Sequence, residues 1–150
     1  MTMQDLKSNV APVNALAPQS ITSAALTSGN VDLFGFNAAA IVVALGTVDG
    51  LNAGAPTSGT IAVKLEQADD DGTGSPSAYA DVALADVVGP VGVSAGVVAT
   101  LSESNAGIQN VGYVGGKRFI RVTLTPSGLG TGGPVAVVVN KGHPRHGPAA

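Results

Sequence analysis

At 150 residues the chain has the length of about one domain. Its 45% hydrophobic content and mean hydropathy of +0.34 exclude charge-driven disorder, while only 11% charged and 3% aromatic residues exclude a Glu/Lys-rich helical bundle. With no cysteine there is no disulfide framework, thiolate zinc site or thiol nucleophile, and a net charge of −3 argues against a general nucleic-acid binder.

In chain order, residues 1–20 read as an extended arm. Met1 to Val10 carries Asp5 and Lys7 and no apolar stretch, so it is not a secretory signal, and the chain is expected to stay in the cytoplasm that makes it. Pro12 and Pro18 punctuate a run with no helical period, which either pairs on the domain's own edge or reaches a neighbouring subunit. Ile21 to Leu26 predicts a weak strand ended by the turn cluster Thr27-Ser28-Gly29-Asn30. Val31 to Phe36 alternates, with Val31 and Leu33 on one face. Ala38 to Leu45 is the longest unbroken apolar run, far below the roughly 20 residues of a membrane helix. It suits a strand buried on both faces, or one whose outer face meets a partner.

Residues 46–60 form a Gly/Ala/Pro/Ser/Thr loop. Gly59 to Gln67 then alternates, with Ile61, Val63 and Leu65 inward and Lys64 and Glu66 outward. Asp69 to Pro76 is a polar loop tip. Ala78 to Val82 is a short strand, Leu84 to Val88 a helical turn and Val97 to Leu101 another strand. Ile108–Val114 and Lys117–Thr125, joined by Gly115-Gly116, predict a hairpin with Ile120, Val122 and Leu124 inward. A Gly-rich loop covers residues 126–133, and Pro134 to Val139 is the last strand. The expected organisation is an arm over 1–20, an all-β antiparallel sandwich or barrel-like domain over 21–140, and a short tail over 141–150.

Charge is divided along the chain. All 10 acids lie within residues 1–103, with only Lys7 and Lys64 against them, whereas residues 104–150 carry Lys117, Arg118, Arg121, Lys141 and Arg145. Such asymmetry can orient a subunit against its neighbours.

No motif assembles a catalytic site. Gly92-Val93-Ser94-Ala95-Gly96 has the spacing of a nucleophile elbow, but a β run follows it where a helix is required, and Glu103 is the sole carboxylate between Ser94 and His143. The glycines of 128–133 match a dinucleotide fingerprint but precede Pro134 and a strand, with no acid after them. Asp69, Asp70 and Asp71 lack the remaining oxygens of a calcium loop, and His143 with His146 lacks a third ligand. The chain is read as a non-enzyme with no cofactor and no metal.

Several segments carry a likeness. These are Asp5-Leu6, Asn9 and Ala15 to Pro18; Val31-Asp32-Leu33-Phe34-Gly35-Phe36; Val63 to Asp69; Tyr79-Ala80-Asp81-Val82; Gly112-Tyr113-Val114-Gly115-Gly116-Lys117-Arg118-Phe119-Ile120-Arg121-Val122; and Gly142-His143-Pro144. In this order the chain resembles a family of small tailed-phage and prophage virion proteins encoded beside the major capsid gene. It departs from the family in longer Gly/Ala/Pro insertions at 46–60 and 126–134. The resemblance implies a capsid decoration, or cement, protein: a β-rich module on the capsid exterior, made in the host bacterial cytoplasm. The implied partners are the major capsid protein and further copies of the chain, a trimer being favoured, with no nucleic acid and no membrane. The residues expected to contact capsid or subunit are Leu6, Val10, Val13, Leu16, Arg118, Arg121, His143 and Arg145. The alternatives are a head spike base, a head–tail joining or tail protein, and a β-sandwich ligand-binding module. Zero Trp and two Tyr weigh against a sugar platform.

Overall fold

The computed structural model describes residues 6–46, 59–89, 96–102 and 108–145. Among the described residues eleven strands follow one another: β1 (Val10–Ile21), β2 (Leu26–Thr27), β3 (Val31–Asp32), β4 (Phe36–Leu45), β5 (Thr60–Ala68), β6 (Ala80–Asp81), β7 (Val87–Val88), β8 (Val97–Leu101), β9 (Ile108–Tyr113), β10 (Phe119–Ser127) and β11 (Gly133–Pro144). Short 3-10 turns occupy Lys7–Asn9 and Leu84–Asp86. One sheet has the order β1-β11-β4-β9-β7. The other has the order β2-β10-β5-β6, with β3 also on β10 and β8 also on β5. All pairings are antiparallel, and the two sheets pack as the expected all-β sandwich.

Alternation builds the core. Ile41 and Val43 of β4 and Val135, Val137 and Val139 of β11 turn inward from one sheet. Ile61, Val63 and Leu65 of β5 and Ile120, Val122 and Leu124 of β10 turn inward from the other. Each such side chain contributes about 1.5–3 kcal/mol by leaving water. The six inward residues predicted for β5 and β10 are all buried.

Of the two alternatives for the arm over 1–20, β1 takes the first, pairing on the domain's own edge, so from Val10 on it is part of the domain; residues 1–5 lie outside the described residues. Residues 10–21 pair with β11, from Val10 opposite Gly142 to Ile21 opposite Gly133, and bury Leu16 and Ile21 in the core. The period-2 signal is missing from the sequence because the register shifts between Asn14 and Leu16 and again between Leu16 and Gln19. Each shift adds one residue to β1, so Val13, Leu16 and Ile21 reach the same face at odd spacings. Pro12 and Pro18 are tolerated because β1 is an edge strand, where a missing N–H breaks no ladder on the open side. The tail is corrected as well, since Lys141 to Pro144 continue β11 opposite Ala39 to Phe36.

The predicted hairpin is also overturned: β9 pairs with β4 and β7, and β10 with β5, β2 and β3, so the chain crosses from one sheet to the other between them. Neither Gly115 nor Gly116 has the positive φ of a two-residue hairpin turn. What the crossing requires of Gly115 is closeness, because a Cβ there would lie 2.5 Å from the Tyr113 hydroxyl. Tyr113 is fully buried, donates to Gln67 Oε1 at 2.7 Å across the sandwich and accepts from the Lys117 N–H at 3.2 Å. Burial pushes its phenol pKa up, which keeps the hydroxyl a donor. Of the weak strand expected at Ile21–Leu26, Ile21 ends β1 and Leu26 opens β2, and the residues between them form a bend.

Candidate interaction surfaces

The outer face of the β1-β11-β4-β9-β7 sheet is uncharged. Lys141 is the one Lys, Arg, Asp or Glu in its five strands, and it lies on the inward parity of Val137 and Val139, with Nζ donating to the Asp32 carbonyl at 3.3 Å. The outward positions are Ala38, Ala40, Val42 and Ala44 on β4 and Ala136, Val138, Asn140 and Gly142 on β11, all half-buried. Register sets small residues side by side: Gly112, Ala40 and Asn140 lie in one cross-strand row, and Ala38 and Gly142 in the next. Their short side chains leave a hollow of about 340 Å³, rimmed by Val10, Val88, Val114 and His143. Val88 and Val114 are exposed at its edge. Gly112 is held small by its neighbour, since a Cβ there would press on the Val88 Cβ at 3.2 Å.

The opposite outer face is charged and paired. Arg121 Nε donates to Glu66 Oε2 at 2.7 Å, and Lys64 Nζ lies 2.8 Å from Asp81 Oδ1 and 3.6 Å from Glu66 Oε1. The Arg121 guanidinium stacks 4.1 Å from the Tyr79 ring, whose hydroxyl donates to Asn30 Oδ1 at 2.8 Å. The Arg121 hydrogen bond holds the Glu66 carboxyl below the usual range against the opposing effect of desolvation.

At one end of the sandwich Arg118 organises a third feature. Its Nε and Nη2 grip Asp32 Oδ1 and Oδ2 at 3.0 and 2.8 Å, and Nη1 pairs with Asp70. The guanidinium carbon lies 5.0 Å from the Phe34 ring centre and 4.9 Å from that of Phe119. This cover buries Phe119, which its strand parity places outward. The Arg118 hydrogen bonds lower the Asp32 pKa, and Asp32 in turn raises that of Arg118. Phe34 stands at the tip of the turn into β4 and is 73% exposed. Its N–H donates to Asp32 Oδ1 at 2.8 Å, the Phe36 N–H donates to the Leu33 carbonyl at 2.9 Å, and Gly35 supplies a φ of 85°. Glycine is the residue for that third turn position.

The acidic loop holds itself. Asp70 Oδ1 accepts from the Gly72 and Gly74 N–H groups at 2.8 and 2.9 Å, and Asp71 Oδ1 from the Thr73 N–H and hydroxyl at 2.8 and 2.7 Å. Asp69 pairs with Lys117. These carboxylates face their own backbone and the neighbouring cations rather than a common point. Among the described residues no cluster of three or more His, Cys, Asp or Glu converges as a metal site.

The expected contact residues therefore divide. Val10 and His143 line the hollow, and His143 is the one non-glycine residue at positive φ among those described, at 54°. Leu6 is exposed, while Val13 packs partly against the core. Leu16 is withdrawn from any contact role by its burial in the chain's own core. Arg118 and Arg121 form their ion pairs within the chain, and Arg145 donates through Nε to Asn37 Oδ1 at 2.8 Å. The charge asymmetry along the sequence is thus met in large part by folding, which brings basic residues of the second half onto acids of the first. Ser94, Glu103 and His146 lie outside the described residues. Phe34, Val88 and the small residues of the hollow were missed. For Phe34 a signal existed, an aromatic before glycine with Asp two residues upstream; the hollow depends on cross-strand register, which no single segment encodes.

No protein-family model matches the chain, and no curated protein matches it. Among solved structures it is similar to the SPBc2 prophage-derived protein YomS, at 9% identity and a TM-score of 0.47 over 89% of this chain and 92% of that one. It is also similar to a chain from Bacillus endospore appendages, described as disulfide-linked pili, at 9% identity and a TM-score of 0.38 over 95% of this chain and 98% of that one. At this distance neither likeness carries an argument about function.

Proposed function

We propose that this chain is a non-enzymatic structural protein of a phage virion, and within the virion a decoration protein that binds the major capsid shell from outside and braces it. The observation that carries this reading is the uncharged outer face of the β1-β11-β4-β9-β7 sheet, with its hollow and exposed valine rim. An apolar surface of this kind on a small β module suits burial against other subunits. The sequence resemblance supports it too. The two most specific segments, Gly112–Val122 and Gly142-His143-Pro144, contribute Gly112, Val114, Gly142 and His143 to the hollow and Arg118 to the aromatic cluster beside it.

In this reading the protein acts by occupancy. Each copy that binds only the assembled shell stabilises that shell by mass action, and contacts repeated around a symmetry axis reinforce one another through effective concentration. The expected assembly is a homo-oligomer on the capsid exterior. The test is a pair of virion preparations with and without the protein. Stripped heads are expected to release DNA at lower temperature, and added protein to restore them saturably, with Ser94→Ala behaving as wild type. Equal robustness of stripped and decorated heads would remove the decoration role, and an ester hydrolysis abolished by Ser94→Ala would remove the non-enzyme reading.

A further inference from the structure

We infer that the chain assembles with itself head to tail, the Phe34 ring of one copy seating in the hollow over Ala38, Ala40, Gly112 and Gly142 of the next. The inference rests on the reading of the chain as an assembling module, and it names the surface and the partner.

Three observations meet here. Phe34 is 73% exposed, yet its backbone is fixed by the Asp32 side chain and by the Gly35 turn, and one side of its ring lies against Arg118. An apolar ring held in this way loses little freedom on docking, so most of its burial counts toward binding. The hollow, at about 340 Å³, exceeds the roughly 150 Å³ that accommodates a benzene ring in an apolar cavity, and alanine and glycine line it together with Asn140 and Tyr113. Finally, knob and hollow belong to the same end of the sandwich. Phe34 precedes β4, and Ala38 and Ala40 lie in the first half of β4, opposite the last residues of β11. A head-to-tail contact passes from copy to copy, and a closed ring is the arrangement that leaves no hollow unfilled. Of the cations beside Phe34, Arg118 is already paired with Asp32 and Asp70, while Arg145, whose N–H donates to the Gly35 carbonyl, has the neutral Asn37 as its side-chain partner and must keep its contact with water at the rim of the docked interface.

The contact is heterologous, and this gives it a decisive test with the purified full chain and no capsid. Sedimentation equilibrium from about 1 μM to 1 mM should show wild type associating into a closed oligomer. Phe34→Ala removes the knob and Ala40→Phe fills the hollow. Each should weaken self-association by about 10- to 100-fold, the loss expected for one buried aromatic anchor. Mixed together, the two variants retain one intact knob and one intact hollow, so the mixture should form one-to-one dimers and nothing larger. Circular dichroism checks that each variant folds, and Ala38→Leu replaces Ala40→Phe if the latter does not. A wild type that stays monomeric, a Phe34→Ala protein that associates as wild type does, or a mixture without dimers overturns the inference. If Phe34→Ala loses capsid binding while associating normally in solution, the ring docks on the shell instead, and the decoration reading survives alone. If the ring forms as described but no capsid binds it, the decoration reading fails alone.

Discussion

The two outer faces of the sandwich are made by the same backbone rule and finished in opposite ways. On the β10-β5 face, outward positions are Lys64, Glu66, Arg121 and Thr123, with Asp81 on β6 beside them and Tyr79 stacked on Arg121. On the β11-β4 face, the equivalent positions are Ala38, Ala40, Val42, Val138 and Asn140. A paired, charged face is content in water and gives little to a partner, because its ions would lose hydration on burial. An alanine- and valine-lined face loses nothing of that kind. On the function proposed above, the difference separates a surface that faces solvent from one fitted to a subunit, and it does so with few aromatic residues.

A charge moved onto the uncharged face is expected to have the largest effect. Val138→Lys should reduce capsid binding about 100-fold, since burial would strand the ammonium. Thermal unfolding of the isolated protein should change by less than about 1 kcal/mol, because a lysine can reach water from that face. Binding that survives Val138→Lys would break the contrast. Next comes the tie between the sheets. Tyr113→Phe leaves the inward Gln67 amide without the hydroxyl and should cost about 1–2 kcal/mol in denaturant unfolding.

On the charged face the effect is smaller and depends on pH. Glu66→Gln should cost about 1 kcal/mol at neutral pH, with capsid binding unchanged. The sign follows from the lowered Glu66 pKa. The stability it contributes is fully present above the ordinary carboxylate pKa of about 4.3 and is lost as pH falls through the lower folded value. The melting temperature of wild type should therefore drop more steeply than that of Glu66→Gln as the pH is lowered from about 5 to 2. Smallest of all, Thr123→Ala removes an exposed hydroxyl contact to Thr27 at 3.2 Å and should shift stability by only a few tenths of a kcal/mol.

The sequence was most legible where one strand carries a regular alternation. Ile61, Val63 and Leu65, and Ile120, Val122 and Leu124, are read directly as inward residues, and Lys64 and Glu66 as outward ones. The apolar run Ala38–Leu45 left open burial on both faces or an outer face awaiting a partner, and the structure gives one buried face and one half-exposed one. Legibility failed where the answer depends on residues far apart. Two bulges erased the alternation of β1 and made an edge strand look like an arm. Gly115-Gly116 looked like a turn because its role, making room for the Tyr113 ring, depends on where that ring goes. The hollow was invisible because Gly112, Ala40 and Asn140 become neighbours only through register.

The pairing of β1 with β11 also has a cost in folding rate. Val10 pairs with Gly142, and Ile21 with Gly133, so the first of the described strands is completed by the last of them. Nearly the whole chain is the loop that this contact closes, and contacts of such high sequence separation slow folding. Until β11 is in place β4 lacks one neighbour and β1 has none, which is the period when exposed strand edges invite pairing between molecules. Pro12 and Pro18, which cannot donate to a ladder, and the two bulges make β1 a poor template for a foreign strand during that wait. The irregularity that hid β1 in the sequence is thus also what makes its edge a poor one for pairing with another molecule.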